Sequence, residues 1–190
     1  RKSGAYKNPD LKTISDGELL GSNFSKPVVF EEIYRRYVKQ VYRYLYSYVG
    51  NVSEAEDLTS QVFISAWESL QHYREQGNFA AWLFRIARNR ANDYYRRNSR
   101  SQQIPIEKAA TLCVEWNPIE RIESEETFHH LRGLVQKLDA EKAELLRLRF
   151  AADLSYADIA VLLGRSEDAV KMLFHRLLHK LKEDWKVCNE

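Results

Sequence analysis

From Phe30 to Tyr48, apolar and aromatic side chains return at every third or fourth position: Phe30, Ile33, Tyr34, Tyr37, Val41, Tyr44, Leu45 and Tyr48. That spacing fits the turn of an α-helix and not the alternation of a strand, so the segment predicts a helix with one buried stripe. Gly50-Asn51 ends it as a left-handed cap. Ser53 and Glu56 have the form of a capping box for a second helix, which carries Ala55, Leu58, Val62, Phe63, Ala66, Trp67 and Leu70 on one face. "HYREQGN" breaks the pattern, and "FAAWLFRIARNRANDYYRR" resumes it as a third helix with Phe79, Trp82, Leu83, Ile86 and Ala87 inward. With only 7 Gly and 4 Pro in 190 residues, nothing favours a turn-rich sheet protein. The expected fold class is all-α.

Periodicity fades from Asn98 to about Glu123, where Pro105 and Pro118 interrupt the chain and Ile104, Ile106 and Trp116 are the apolar anchors. A linker of that length inside one compact domain is unusual, so two small helical domains joined by a flexible linker are expected. The second block, Glu125 to Trp185, is helical again: "TFHHLRGLVQKL", "AEKAELLRLRFAAD" and two helices around Gly164. Ser155 with Asp158, and Ser166 followed by Glu167 and Asp168, mark the starts of the last two. The expected boundaries are a tail with a short entry helix over 1–27, a first domain over 28–98, a linker over 99–123 and a second domain over 124–190.

A net charge of +2 hides strong segregation. Between Arg85 and Arg100 stand six arginines and one acid, Asp93; between Glu107 and Glu126 stand six glutamates against Lys108 and Arg121. A chain so divided has one face suited to phosphate and one stretch that avoids it.

Two segments carry binding chemistry. "SYADIAVLLGRSEDAVKMLFHRLLHKLK" has the spacing of a helix-turn-helix: small Ala160 at a close helix crossing, Gly164 at a turn needing positive φ, Val170 as an anchor of the second helix. The helix from Ser166 would then enter a major groove, with Arg165, Lys171 and Arg176 toward phosphates or guanine edges. An ordinary helical hairpin has the same spacing. The basic helix from Arg85 sets arginines beside Tyr94 and Tyr95, with Trp82 before them, a combination suited to an unpaired strand whose bases stack on flat side chains. The same residues admit a second reading, with Trp82 and Tyr94 in the core and the arginines as a solvated face.

Other chemistry finds little support. Cys113 and Cys188 match neither a disulfide framework nor a zinc spacing, which points to a reducing, cytoplasmic setting. No apolar run approaches a membrane span, and "RKSGAYKNPD" lacks the apolar stretch of a secretion signal, so it is expected to be a flexible tail. His175 and His179 lie one turn apart, but no Glu follows His175 and no third ligand is evident. No phosphate-binding glycine loop or nucleophile elbow occurs. No enzyme, metal or cofactor is expected.

"FEEIYRRYVKQVYRYLYSYVGNVSEAEDLTSQVFISAWESL", "FAAWLFRIARNRANDYYRR" and "LSYADIAVLLGRSEDAVKMLFHRLLHKL" together resemble the extracytoplasmic-function (group IV) family of bacterial sigma factors, regions 2 and 4, over Phe30 to Trp185. The resemblance implies a dissociable subunit of RNA polymerase that directs the core to promoters. It places Glu56, Asp57, Gln61, Phe63 and Trp67 against the clamp helices of the largest polymerase subunit. It places Tyr73, Gln76, Asn78, Arg85, Arg88, Asn89 and Arg96 at the minus-10 element, where a base of the nontemplate strand is flipped out and captured. Arg165, Ser166, Lys171, Met172, His175 and Arg176 fall at the minus-35 element. It further implies contact of region 4 with the polymerase flap, passage of the acidic linker through the active-site and RNA-exit channels, and an anti-sigma protein as a partner.

The family pattern is not kept throughout. Ser60-Gln61 stands where Gln-Glu is usual, Met172-Leu173 where Ser-Arg is frequent, and Leu178 replaces a later Arg. "SDGELLGSNFSKPVVF" is similar to the family's short entry helix but lacks its Gly-Asp and has Pro27. The alternative class is a helix-turn-helix regulator that binds duplex DNA without joining polymerase.

Overall fold

A computed structural model describes residues 11–22, 26–73, 78–98, 133–135 and 137–187. The described chain is helical: α1 (Asp16–Leu20), α2 (Lys26–Val49), α3 (Val52–Ser69) with a single tight turn over Leu70–His72, α4 (Phe79–Asn98), α5 (Ala140–Leu146), α6 (Tyr156–Leu163) and α7 (Glu167–Val187). The linker expected over 99–123 and its acidic run lie outside the described residues, as does most of the helix expected from Thr127.

The ends of these helices follow from their local chemistry. Ser15 accepts from the Glu18 amide while the Glu18 carboxylate accepts from the Ser15 amide, a reciprocal cap that starts α1. Pro27 sits in the first turn of α2, where its missing N–H has no helical partner to lose. Gly50 ends α2 at φ 61°, as expected of a left-handed stop. The cap of α3 is Asn51 and not Ser53: its side chain accepts from the Glu54 amide at 3.1 Å, and the helix is already under way at Val52.

Helices α2, α3 and α4 pack around Ile33, Val41, Leu45, Val62, Ala66, Leu83, Phe84 and Ala87, all buried. Removing any of the larger of these side chains from water contributes roughly 2 kcal/mol, so the stripe itself holds the three helices together. The α1 segment is fastened by ions. Arg36 bonds Asp16 at 2.5 Å, the Ile14 carbonyl at 2.8 Å and the buried Glu32 carboxylate at 2.9 Å. Desolvation raises the Glu32 pKa, but hydrogen bonds and charge from Arg36 and Arg35 outweigh it and hold this carboxyl below the usual range.

In the second unit α5 runs into a widened turn over Arg147–Ala151, and α6 and α7 meet at Gly164. Ser155 and Asp158 form the expected capping box, and Gly164 adopts φ 66°, ψ 36°. Ile159, Ala160, Val170, Phe174 and Leu177 are buried between the two helices. The two units are not apart. α6 packs against α4 and the turn after α5 against α2, so one continuous cluster of buried apolar side chains runs from Leu19 to Leu177.

Candidate nucleic-acid interface

Helix α4 sorts its side chains by its period. Leu83, Phe84, Ala87 and Ala91 turn inward, while Arg85, Asn89, Asn92 and Arg96 form an exposed stripe at steps of four, three and four. Three other arginines are engaged elsewhere or border that stripe. Arg90 donates to the Ser65 hydroxyl at 2.7 Å and ties α4 to α3, Arg88 turns toward α5, and Arg97 stays exposed beside a polar groove with Glu54, Asp57, Gln61 and Tyr94. Arg96 itself pairs with Asp93.

The tyrosines do not form the stacking platform suggested by sequence. Tyr95 donates its hydroxyl to the Tyr48 carbonyl at 3.1 Å and packs on that ring, and Tyr94 is half-buried against it. Flat aromatic surface is found instead at the helix start. Tyr73, Phe79 and Trp82 meet with ring centroids 5.1 to 5.4 Å apart. Asn78, expected in the base pocket, caps α4: its side chain accepts from the Ala81 amide at 2.9 Å. Gln76 lies outside the described residues; Tyr73, Asn78 and Trp82 stand at one end of the basic stripe.

On α3, Glu56, Asp57, Gln61 and Trp67 are exposed, whereas Phe63 is buried. Phe63 meets Phe30 and Tyr34 edge-on, at 6.2 and 4.7 Å, and therefore shapes the patch from beneath. Two members of that patch were missed from sequence: Ile64 is 57% exposed and Tyr34 45% exposed. Ile64 lies outside the buried stripe of Val62, Phe63 and Ala66, a displacement that signals an apolar side chain kept for contact. Lys26 covers the Trp67 ring at 4.3 Å.

All six residues expected at the second element are exposed, Arg165 and Ser166 at the turn and Lys171, Met172, His175 and Arg176 along one side of α7. Ser166 caps α7 by accepting from the Ala169 amide at 3.2 Å. Arg165 is paired with Glu141 at 2.5 Å and Lys171 with Glu167 at 2.8 Å, both pairs half-exposed and therefore easily exchanged for phosphate. Met172 stands 53% exposed beside Arg176, an apolar contact in the middle of a polar face.

A cleft of about 690 Å³ lies between the units, lined by Tyr48, Arg88, Asn92, Tyr95, Glu141, Glu144, Arg147 and Arg165 among others. Glu144 is buried at its wall. Desolvation raises its pKa, against the hydrogen bond from Tyr44 and the charge of Arg147, which lower it. Burial first, and then the facing Glu144 charge, push the Tyr44 phenol far above its ordinary value, so it stays a donor. Among the described residues there is no helix long and apolar enough to cross a membrane, and no group of three or more His, Cys, Asp or Glu placed to hold a metal ion.

Residues 33–101 match the model of sigma-70 region 2, and residues 129–181 match that of sigma-70 region 4. The chain is 33% identical over 158 residues to the ECF RNA polymerase sigma factor BldN of Streptomyces coelicolor, an alignment covering 80% of this chain and 58% of that one. It is 29% identical over 156 residues to the RNA polymerase sigma factor YlaC of Bacillus subtilis, covering 81% of this chain and 90% of the relative. The chain thus spans little more than half of BldN but most of YlaC. Among solved structures it is similar to CnrH in complex with the cytosolic domain of CnrY, with TM-score 0.62 and 22% identity over 94% of this chain and 99% of that one. It is also similar to the sigma factor RpoE of Bartonella quintana in complex with the anti-sigma factor NepR, with TM-score 0.58 and 20% identity over 83% and 97%. At those identities the likeness is one of fold.

Proposed function

The chain belongs to the extracytoplasmic-function family of RNA polymerase sigma factors, and on that premise we propose that it joins the core enzyme and directs it to promoters. The observation that carries this reading is the division of labour within the first unit. α3 exposes an acidic and apolar face (Glu56, Asp57, Gln61, Ile64, Trp67) suited to a protein partner, while α4 exposes a basic and amide-bearing stripe (Arg85, Asn89, Asn92, Arg96) suited to a nucleic-acid strand.

The α3 face docks on the clamp helices of the largest polymerase subunit, and the second unit meets the flap. The α4 stripe takes the nontemplate strand of the minus-10 element, with Tyr73 and Asn78 at the mouth of the pocket for the flipped base. Extruding that base costs about a few kcal/mol, which a pocket of matching shape recovers selectively; no catalytic group is needed. The helix from Ser166 reads the minus-35 duplex through Arg165, Lys171, Met172, His175 and Arg176. Residues 28–98 and 124–190 act as the two separable modules. A partner of the anti-sigma kind is proposed because a sigma factor of similar fold has been captured with one.

The test is assembly and start-site choice with purified core polymerase. The parent chain co-elutes with core and yields transcripts from defined starts on a promoter library. Asp57→Arg with Gln61→Arg reverses the charge of the α3 face and abolishes co-elution while leaving the fold intact by circular dichroism. A parent that binds duplex DNA tightly yet never co-elutes would instead make it a regulator acting without polymerase.

A further inference from the structure

We propose that α1 is a positioning element for the base pocket of the first unit, with Asp16 acting through Tyr37 on the ring cluster of Phe79, Tyr73 and Trp82. The inference rests on the strand-capture reading and adds to it residues that never touch the strand.

Asp16 stands in the first turn of α1, and both of its carboxylate oxygens are taken by side chains of α2. Oδ1 accepts from Arg36 at 2.5 Å, and Oδ2 accepts from the Tyr37 hydroxyl. Arg36 also donates to the Leu11 carbonyl at 2.5 Å, the Ile14 carbonyl at 2.8 Å and the Glu32 carboxylate at 2.9 Å. One guanidinium therefore ties the chain from Leu11 into α1 onto α2, through bonds strengthened by charge. Burial, and then the Asp16 bond, push the Tyr37 phenol far above its ordinary value, so it stays a donor and its ring is held at a fixed place.

That ring meets Phe79, the first residue of α4, at 5.7 Å. Phe79 is buried and offers a strand nothing itself. It meets Tyr73 at 5.4 Å and Trp82 at 5.2 Å, both half-buried, and these carry the flat surface at the head of the basic stripe. Ring pairs have preferred geometries, so moving one ring moves the favoured place of the next. On its other side Tyr73 borders a cavity of about 290 Å³, walled also by Leu20 of α1, Ser22 and Leu70. A ring beside a void lacks partner atoms there, and its resting place depends the more on the rings it does touch. A pocket that selects a base by shape needs its walls held before the base arrives. The bond from Tyr37 to Asp16 supplies that support from behind.

The experiment uses holoenzyme reconstituted from the full chain and core polymerase, with fork-junction DNA from a promoter on which the parent initiates. An abasic site is placed at each minus-10 position of the nontemplate strand in turn, and the affinity lost relative to the intact probe is measured by fluorescence anisotropy. In the parent one position stands out, with a loss of at least about fivefold, the low end for one recognised base. Asp16→Ala shrinks that loss by at least about threefold, within the coupling ordinary for residues of one contact network. Tyr37→Phe, which keeps the ring and removes only the hydroxyl, does the same. Affinity for core and for a duplex carrying only the minus-35 element stays at the parent value, and thermal melting by circular dichroism verifies that each variant remains folded. An abasic loss unchanged in either variant overturns the positioning role. Equal weakening on intact and abasic probes leaves that loss as it was, so it reduces Asp16 and Tyr37 to props of the fold and overturns the role too. A parent that joins core yet shows no sensitive position overturns the capture reading, and the inference with it.

Discussion

At Gly164 the backbone enters the left-handed region, and a Cβ built there meets nothing within 4 Å. The demand for glycine is therefore conformational and not steric. Gly164→Ala should lower the unfolding free energy by about 1 kcal/mol, read as a reduced urea midpoint at unchanged slope. This position was legible because the requirement is local: a helix of eight residues stops, turns and restarts within three. The start of α3 was not. Asn51 and Ser53 are both capping residues, each followed three places later by a glutamate, and the pattern cannot rank them. Gly50 decides the matter by turning the chain at φ 61°, which leaves Asn51 extended (φ -133°, ψ 131°) and ready to accept from Glu54.

Whole helices were easier to read than the uses of their side chains. The α4 stripe is a consequence of period, yet its arginines have different employments: Arg90 braces α3, Arg96 answers Asp93, Arg88 crosses to α5 and Arg85 faces solvent. Such assignments depend on neighbours distant in sequence. The recognition proposed for α7 has a simpler test, because its exposed side is built from one helix. Lys171→Glu with Arg176→Glu should weaken promoter binding by the holoenzyme and flatten the dependence of log affinity on log salt by about 0.9 for each lost phosphate contact. An unchanged slope would remove these two side chains from the DNA. Met172, 53% exposed between them, adds the apolar surface on which a thymine methyl can rest.

For the molecule as a whole, the buried Glu144 between the two units makes stability depend on pH. The groups facing Glu144 are Tyr44 and Tyr48 from α2, Arg88 and Tyr95 from α4, and Arg147, with the Glu141–Arg165 pair at the rim of the same cleft. Desolvation raises the Glu144 pKa in the fold above the ordinary 4.5, so the folded chain holds this proton more tightly than the unfolded chain does. The contribution of this group to stability is fully present below 4.5 and is lost as pH rises through the raised value. The melting temperature of the parent should fall across that window, and Glu144→Gln should make it independent of pH there. The helices, their caps at Ser155 and Ser166, the helix-turn-helix and the basic segment were all determined by sequence, because each rests on contacts within a few turns of one helix. The mating of Glu144 with Tyr44, Tyr48 and Arg88 was decided only in three dimensions. A carboxylate at position 144 of an amphipathic helix reads as one more solvated charge until another helix, a hundred residues away in the chain, brings the donors that make its burial affordable.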